Sequence, residues 1–344
     1  MNGVSLTMFI PFSTTGIGSL PHTDREEACR LVLGTFDIPF WPQLPKVSFR
    51  ESMIAQFSEG LPFLELDEER QTIWLEREGE SLTRFYETYS EDTEIAVSDR
   101  FATGFSAFIK KIKERRFPFL KGHVTGPITF TLGLKDSFGR LVYFDEELRE
   151  IALMLLKAKI RWQIKTLQPN AGQVIIFIDE PVLSALGSSS YIGVNPQEAL
   201  RLLGEASDAV KNAGGIPGIH CCSKADWPLV IKSGVSIISF DAFDYIETIS
   251  LYPQEFTGFL KNGGCLAWGI VPTTEAIRDE DAASIKKRFD TGIETLSKSI
   301  PADLLLSKIL LTPSCGTGSR SIEETEKVFS ILNKLKNLIK GSSS

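Results

Sequence analysis

The chain has 344 residues, 42% of them hydrophobic and 24% charged, with a formal net charge of −7. That balance fits a globular enzyme-sized protein able to bury a large core without staples, and it argues against binding nucleic acid. No apolar run reaches the ~18 residues of a membrane span, so no membrane partner is expected. The opening MNGVSLTMFIPF lacks the basic and small-residue features of a signal peptide. Five cysteines (Cys29, Cys221, Cys222, Cys265, Cys315) then read as reduced thiols in a cytoplasmic protein.

Eight short runs read as strands, over 9–19, 38–45, 119–126, 174–180, 215–221, 236–242, 265–271 and 308–314. Most are apolar nearly throughout rather than alternating, as expected of parallel strands covered on both faces. Helical patterns lie between them. Asp24 with Glu27 resembles a capping box ahead of REEACRLVLGTF. After the second run, 61–79 reads as a hairpin and a long polar helical stretch follows to about residue 117. Residues 148–167 carry apolar positions at helical spacing, and Asn195-Pro196 opens another helix. Ser321 with Glu324 forms a capping box at the start of the last helix, which stops before Gly341. Strands alternating with helices predict a (β/α)8 TIM barrel. We read one domain over 1–341 with an insertion at about 61–117, and a disordered tail over 342–344.

Chemistry in such a barrel gathers where strands end. Ser19, His123, Asp179, Glu180, His220, Cys222, Asp241 and Cys315 all fall at or just past predicted strand ends. In GIHCCSKADW, neighbouring Cys221 and Cys222 point to opposite faces of a strand, so only Cys222 can join His220. With the lone cysteine of TPSCGTGS, this makes a His220–Cys222–Cys315 set suited to Zn²⁺, leaving one tetrahedral position for substrate. Asp241 closes the apolar run SIISF. It reads as a fourth ligand, as an acceptor for a ligand's imidazole N–H, or as a helix cap or surface residue. Asp179 and Glu180 in FIDEP diverge as adjacent residues; one suits an internal ion pair and the other a substrate ammonium. GHVTGPITF, with Thr125, and TTGIGSLPHT both bring loop or helix N–H groups towards the mouth. His22 and His123 are spare candidates for proton handling or donor contact.

TTGIGSLPHT, HVTGPITF, IDEP, H-x-C, the acid closing SIISF, GIVP and P-x-CG occur in one order. Together they resemble the C-terminal catalytic barrel of cobalamin-independent methionine synthase, over roughly residues 10–335. The resemblance implies a methyltransferase that moves a methyl group to the thiol of L-homocysteine bound at zinc. It implies His220, Cys222, Asp241 and Cys315 as metal ligands, with Ile17, Ser19 and Asp179 holding the amino acid. Thr125 and Glu180 are further substrate-binding candidates at the same mouth. Asp241 stands where the family has a glutamate, one methylene longer. No counterpart of the family's ammonium-binding glutamate lies near FRESM (49–53), and Gly133 falls where the family presents a tryptophan on its folate side. The N-terminal half of folate-dependent members is absent from this sequence. The pattern is similar to the short, core type of methionine synthase, which implies methylcobalamin or a methylated corrinoid protein as donor rather than methyltetrahydrofolate. Two other readings compete. One is a related barrel of the uroporphyrinogen decarboxylase type, including methylcorrinoid enzymes that act on coenzyme M-like thiols. The other is a corrinoid- or metal-binding accessory protein without turnover.

Overall fold

Six of the eight expected strands form one parallel sheet in sequence order. The computed structural model describes residues 9–77, 81–186, 191 and 193–341. The proposed tail at 342–344 and the first eight residues lie outside them. An antiparallel hairpin comes first, β1 (Leu64–Asp67) and β2 (Thr72–Leu75). The curled sheet follows as β3 (Phe117–Thr125), β4 (Ala171–Asp179), β5 (Ile216–Cys221), β6 (Ile237–Asp241), β7 (Cys265–Val271) and β8 (Ile309–Pro313). The result is a mixed α/β protein consistent with a TIM-barrel-like fold.

The first two predicted strands are extended but make only isolated bridges. Thr14 pairs with Leu311 of β8, Phe40 with Lys121 of β3, and Ser19 with Gln43 between the two segments. Thr15 and Gln43 each donate one backbone bond in these contacts, at 3.1 Å to Leu311 and 3.1 Å to Gly18. The physical reason is compositional. Glycines at 16 and 18 and prolines at 39, 42 and 45 break regular pairing. The polar stretch after the hairpin is two helices rather than one, Ser81–Thr88 and Thr103–Ile112, with irregular chain between them.

Each strand of the sheet has two buried faces. Ile175, Phe177, Ile216, Ile237, Cys265, Ala267 and Leu310 point inward with Ile17 and Ile38 to form an inner core. The alternate residues, such as Ile176, Ile178, Ile219, Cys221, Ile238 and Phe240, join the larger core against the helices. This double burial explains the continuously apolar strands, and each fully buried large side chain contributes roughly 1.5–3 kcal/mol. Asp24 caps the helix Arg25–Thr35 by accepting from Glu26 and Glu27 N–H, and Asn195 caps Pro196–Asn212 in the same way. Ser321 and Glu324 bond reciprocally at the head of Ile322–Gly341. That last helix runs one residue beyond its expected end, through Gly341. Among the described residues, no helix is long and apolar enough to cross a membrane.

Candidate metal and substrate site

The ends of β3 to β6 align their inward residues in one register row. Thr125 pairs with Asp179, Asp179 with His220, and His220 with Ser239. A period-two pleat therefore delivers Asp179, His220 and Ser239 side by side to the interior. Cys222 follows His220 on the same side, just past the end of β5. Cys315 arrives from the loop after β8. The ligand atoms of His220, Cys222 and Cys315 all lie within 4.8 Å of one another.

Hydrogen bonding prepares this set. His220 Nδ1 lies 3.0 Å from Ser239 Oγ, while its Nε2 is buried and has no partner among the described residues. A buried, unpaired ring nitrogen beside two thiols is an unmet acceptor that a metal would satisfy. The Cys222 thiol is drawn well below its ordinary range, first by the hydrogen bond from Cys315 and then by His220, against the effect of burial. Cys315 is pushed up by the same neighbour and by burial. One thiolate is thus favoured before a cation is present. The donor set of one imidazole and two thiols fits Zn²⁺.

Asp241 points inward at the end of β6 but stands outside the three-ligand set. Its Oδ1 accepts from the N–H of Phe243 at 2.8 Å and of Asp244 at 3.0 Å, as a turn cap. Burial, above all, raises its carboxyl to about 6, with Cys222 among the lesser contributors. Asp179 is buried, and its Oδ1 also lacks a partner among the described residues. Burial raises its pKa, while His220 and Lys121 oppose the rise.

Glu180 turns the other way. Its carboxylate accepts from Ile128 N–H at 2.9 Å and Thr129 N–H at 2.8 Å, and from the Thr129 hydroxyl at 2.6 Å. It caps the helix Pro127–Gly133, and no space is left for a side chain at Gly126, whose added Cβ would collide with the Glu180 carboxylate. With those oxygens committed to the helix, Glu180 is a scaffold residue rather than an ammonium receptor. The Thr125 hydroxyl is likewise committed, to the Met53 carbonyl.

Ser19 sits against the Cys315 loop. Its carbonyl accepts from Thr317 N–H at 2.8 Å, and an added Cβ at Gly316 would strike its hydroxyl. The N–H groups of Ile17, Gly18 and Ser19 have no acceptor among the described residues. They form a short run of free donors on the site's flank. His123 is buried there too, stacked on Trp41 with ring centroids 3.9 Å apart and with neither nitrogen partnered among the described residues. His22 is buried as well, with neither nitrogen partnered among the described residues.

Two residues escaped the sequence reading. Ser239 shares the inward face with Asp241, so the same period-two rule would have found it. Lys121 interrupts an apolar strand, which is itself a signal. It is fully buried, its Nζ donates to the Ile17 carbonyl at 2.6 Å, and it lies over the rings of Phe177 and Phe40.

No family model and no curated protein matches the chain. Solved structures do. A B12-independent methionine synthase from Shewanella sp. W3-18-1, in complex with selenomethionine, superposes with a TM-score of 0.60 at 17% identity, covering 96% of this chain and 98% of that one. A Listeria monocytogenes protein assigned as a vitamin-B12 independent methionine synthase gives 0.56 at 14% identity, with the same coverage. At such identities the likeness shows a shared fold.

Proposed function

We propose that this chain is a zinc-dependent methyltransferase that moves a methyl group to the thiol of L-homocysteine, giving methionine. The observation that carries the reading is the convergence of His220, Cys222 and Cys315 within 4.8 Å, with His220 Nε2 left unpaired. The shared fold with methionine synthase-type structures, one of them in complex with selenomethionine, supports the same substrate class.

His220, Cys222 and Cys315 would hold the zinc, with Ser239 fixing the imidazole. Asp241, close enough to act on Cys222 electrostatically, is the candidate for a fourth ligand. Zinc, when bound, keeps a substrate thiol deprotonated at neutral pH, where a free thiol near ~8.5 is mostly protonated. Asp179, with its unpaired oxygen, would receive the ammonium. The free N–H groups of Ile17, Gly18 and Ser19 would receive the carboxylate. This leaves the thiol end of the amino acid directed at Cys222 and Cys315. The substrate sulfur then attacks the donor methyl in line: the S–C bond forms, the donor–methyl bond breaks with its electron pair staying on the donor, and the thiol proton passes to solvent. The chain's part is to orient and to exclude misplaced ligands.

The proposed donor is methylcobalamin or a methylated corrinoid protein. Gly133 itself offers no aromatic surface to clamp a pterin, and Ile54 Cδ1 lies 2.7 Å from where its Cβ would be. The test is one assay of homocysteine methylation with methylcobalamin and methyltetrahydrofolate in parallel, on protein of measured zinc content. Turnover with methylcobalamin alone is expected. Turnover with methyltetrahydrofolate alone overturns the donor, and turnover with neither overturns the reaction.

A further inference from the structure

Lys121 lies where a soluble barrel rarely places a lysine, fully buried among the inner core residues. It belongs to β3 opposite Ile175, two tiers below Asp179 in the register. Its side chain climbs from there. Nζ sits 4.4 Å from the centroid of Phe177, the inward residue immediately before Asp179 on β4, and 5.3 Å from that of Phe40. Phe177 takes this position because Gly218, opposite it on β5, has no side chain; an added Cβ there would meet the ring at 2.5 Å. Among the described residues, the hydrogen bond of the ammonium goes to the Ile17 carbonyl alone.

The Ile17 contact bears on the backbone segment proposed to receive the substrate carboxylate. A trans peptide sets its C=O and N–H antiparallel. Drawing the Ile17 carbonyl onto Lys121 turns the Gly18 N–H away from the ammonium, where it stays free of any acceptor among the described residues. This segment needs such an anchor, because the chain around Ile17 makes isolated bridges rather than a regular strand.

We infer that Lys121 is a positioning residue for the amino-acid head group, holding the 17–19 backbone donors in place through the Ile17 carbonyl. The inference rests on the homocysteine reading above. It makes Lys121 responsible for discrimination between an amino-acid thiol and a plain thiol, without contact with the reacting sulfur.

The experiment measures equilibrium binding of L-homocysteine and of 1-propanethiol, which lacks the head group, to zinc-loaded wild-type protein and to Lys121→Met. Zinc stoichiometry and melting temperature are recorded for each. Wild type should prefer homocysteine. Lys121→Met should keep its zinc and its fold, weaken homocysteine by about 30-fold, the scale of a lost hydrogen bond to a charged group, and leave propanethiol within about threefold of wild type. Lys121→Gln, which fills the space with a neutral polar group, serves if the methionine variant does not fold, and the same loss is expected of it. A variant as selective as wild type overturns the inference and leaves the homocysteine reading standing. So does a variant that retains zinc but loses both thiols equally. Wild-type protein that takes the two thiols alike overturns the homocysteine reading, and the inference falls with it.

Discussion

The two faces of the sheet at the ends of β4 and β5 carry nearly the same side chains and use them in opposite ways. Asp179 and Cys222 look into the barrel mouth, and Glu180 and Cys221 look out towards the helices. Outside, every demand is met: Glu180 accepts three hydrogen bonds, and Cys221 is a buried core residue whose thiol burial pushes up to about 12. Inside, an Asp179 oxygen and His220 Nε2 have no partner among the described residues, and the Cys222 thiol is drawn down. Residue type does not separate scaffold from site here. Satisfaction does, and unmet polar atoms converging on one side of a sheet mark a place suited to a ligand.

The sharpest way to break this contrast is through the thiols. Cys315→Ser should lose most of its zinc and nearly all methyl transfer, while Cys221→Ser keeps both. Metal stoichiometry with the methylcobalamin assay reads the two together, and full zinc and turnover in Cys315→Ser would refute the site. The carboxylates give the next contrast, this time in stability. Glu180→Ala leaves two helix N–H groups unpaired and opens a cavity, at a cost of about 3 kcal/mol in chemical denaturation. Asp179→Asn exchanges an unpaired buried acid for a neutral isostere. It should melt close to wild type yet bind L-homocysteine poorly. Equal loss of stability in both variants would erase the distinction between the faces.

A smaller effect tests the support beneath the metal. Ser239 Oγ lies 3.0 Å from His220 Nδ1 and holds that side of the ring. Ser239→Ala should weaken zinc affinity by about 10–100-fold, the usual consequence of freeing a ligand imidazole. A competition titration against a chelator measures it, and unchanged affinity would mean that packing alone orients the ring.

Much of this was legible in the sequence because the relevant periodicities are short. Continuous apolar runs mark strands buried on both faces, and six of the eight candidates are regular strands. The i, i+2 rule places His220 and Cys222 together and turns Cys221 away. Cys315 is joined to them only by the closure of the sheet, so spacing could suggest it but not place it. The first two strands were over-read because glycine and proline leave an extended chain without a ladder. Glu180 was misjudged for a different reason. Its partners, Ile128 and Thr129, are more than fifty residues away, and no local pattern shows that a carboxylate is already used. Lys121 is not legible as part of a site because its acceptor, the Ile17 carbonyl, is again remote in sequence.

Lys121 also gives the contrast its pH signature. Burial depresses this ammonium from 10.5 to about 7, with Asp179 opposing the shift. A base depressed in the folded state leaves the unfolded chain holding more protons between about pH 7 and 10.5, so its contribution to stability grows as pH rises through that window and is lost as pH falls to 7. Glu180, on the outer face, has the reverse sign: raised to about 7, it loses stability as pH climbs from 4.5 and is spent above 7. The buried thiols of Cys29, Cys221 and Cys265, each pushed up to about 12, act only above pH 9. Between about pH 7.5 and 9 the inner lysine should therefore dominate the difference between wild type and Lys121→Met. Denaturant unfolding should show wild-type stability rising by up to about 1.4 kcal/mol per pH unit more than that of the variant. The variant should be the more stable protein at pH 7.5, with the gap closing as pH increases. Parallel slopes would mean that the inner lysine is as well solvated folded as unfolded, and the barrel interior would then not be the dry, unsatisfied surface that sets it apart from the outer face.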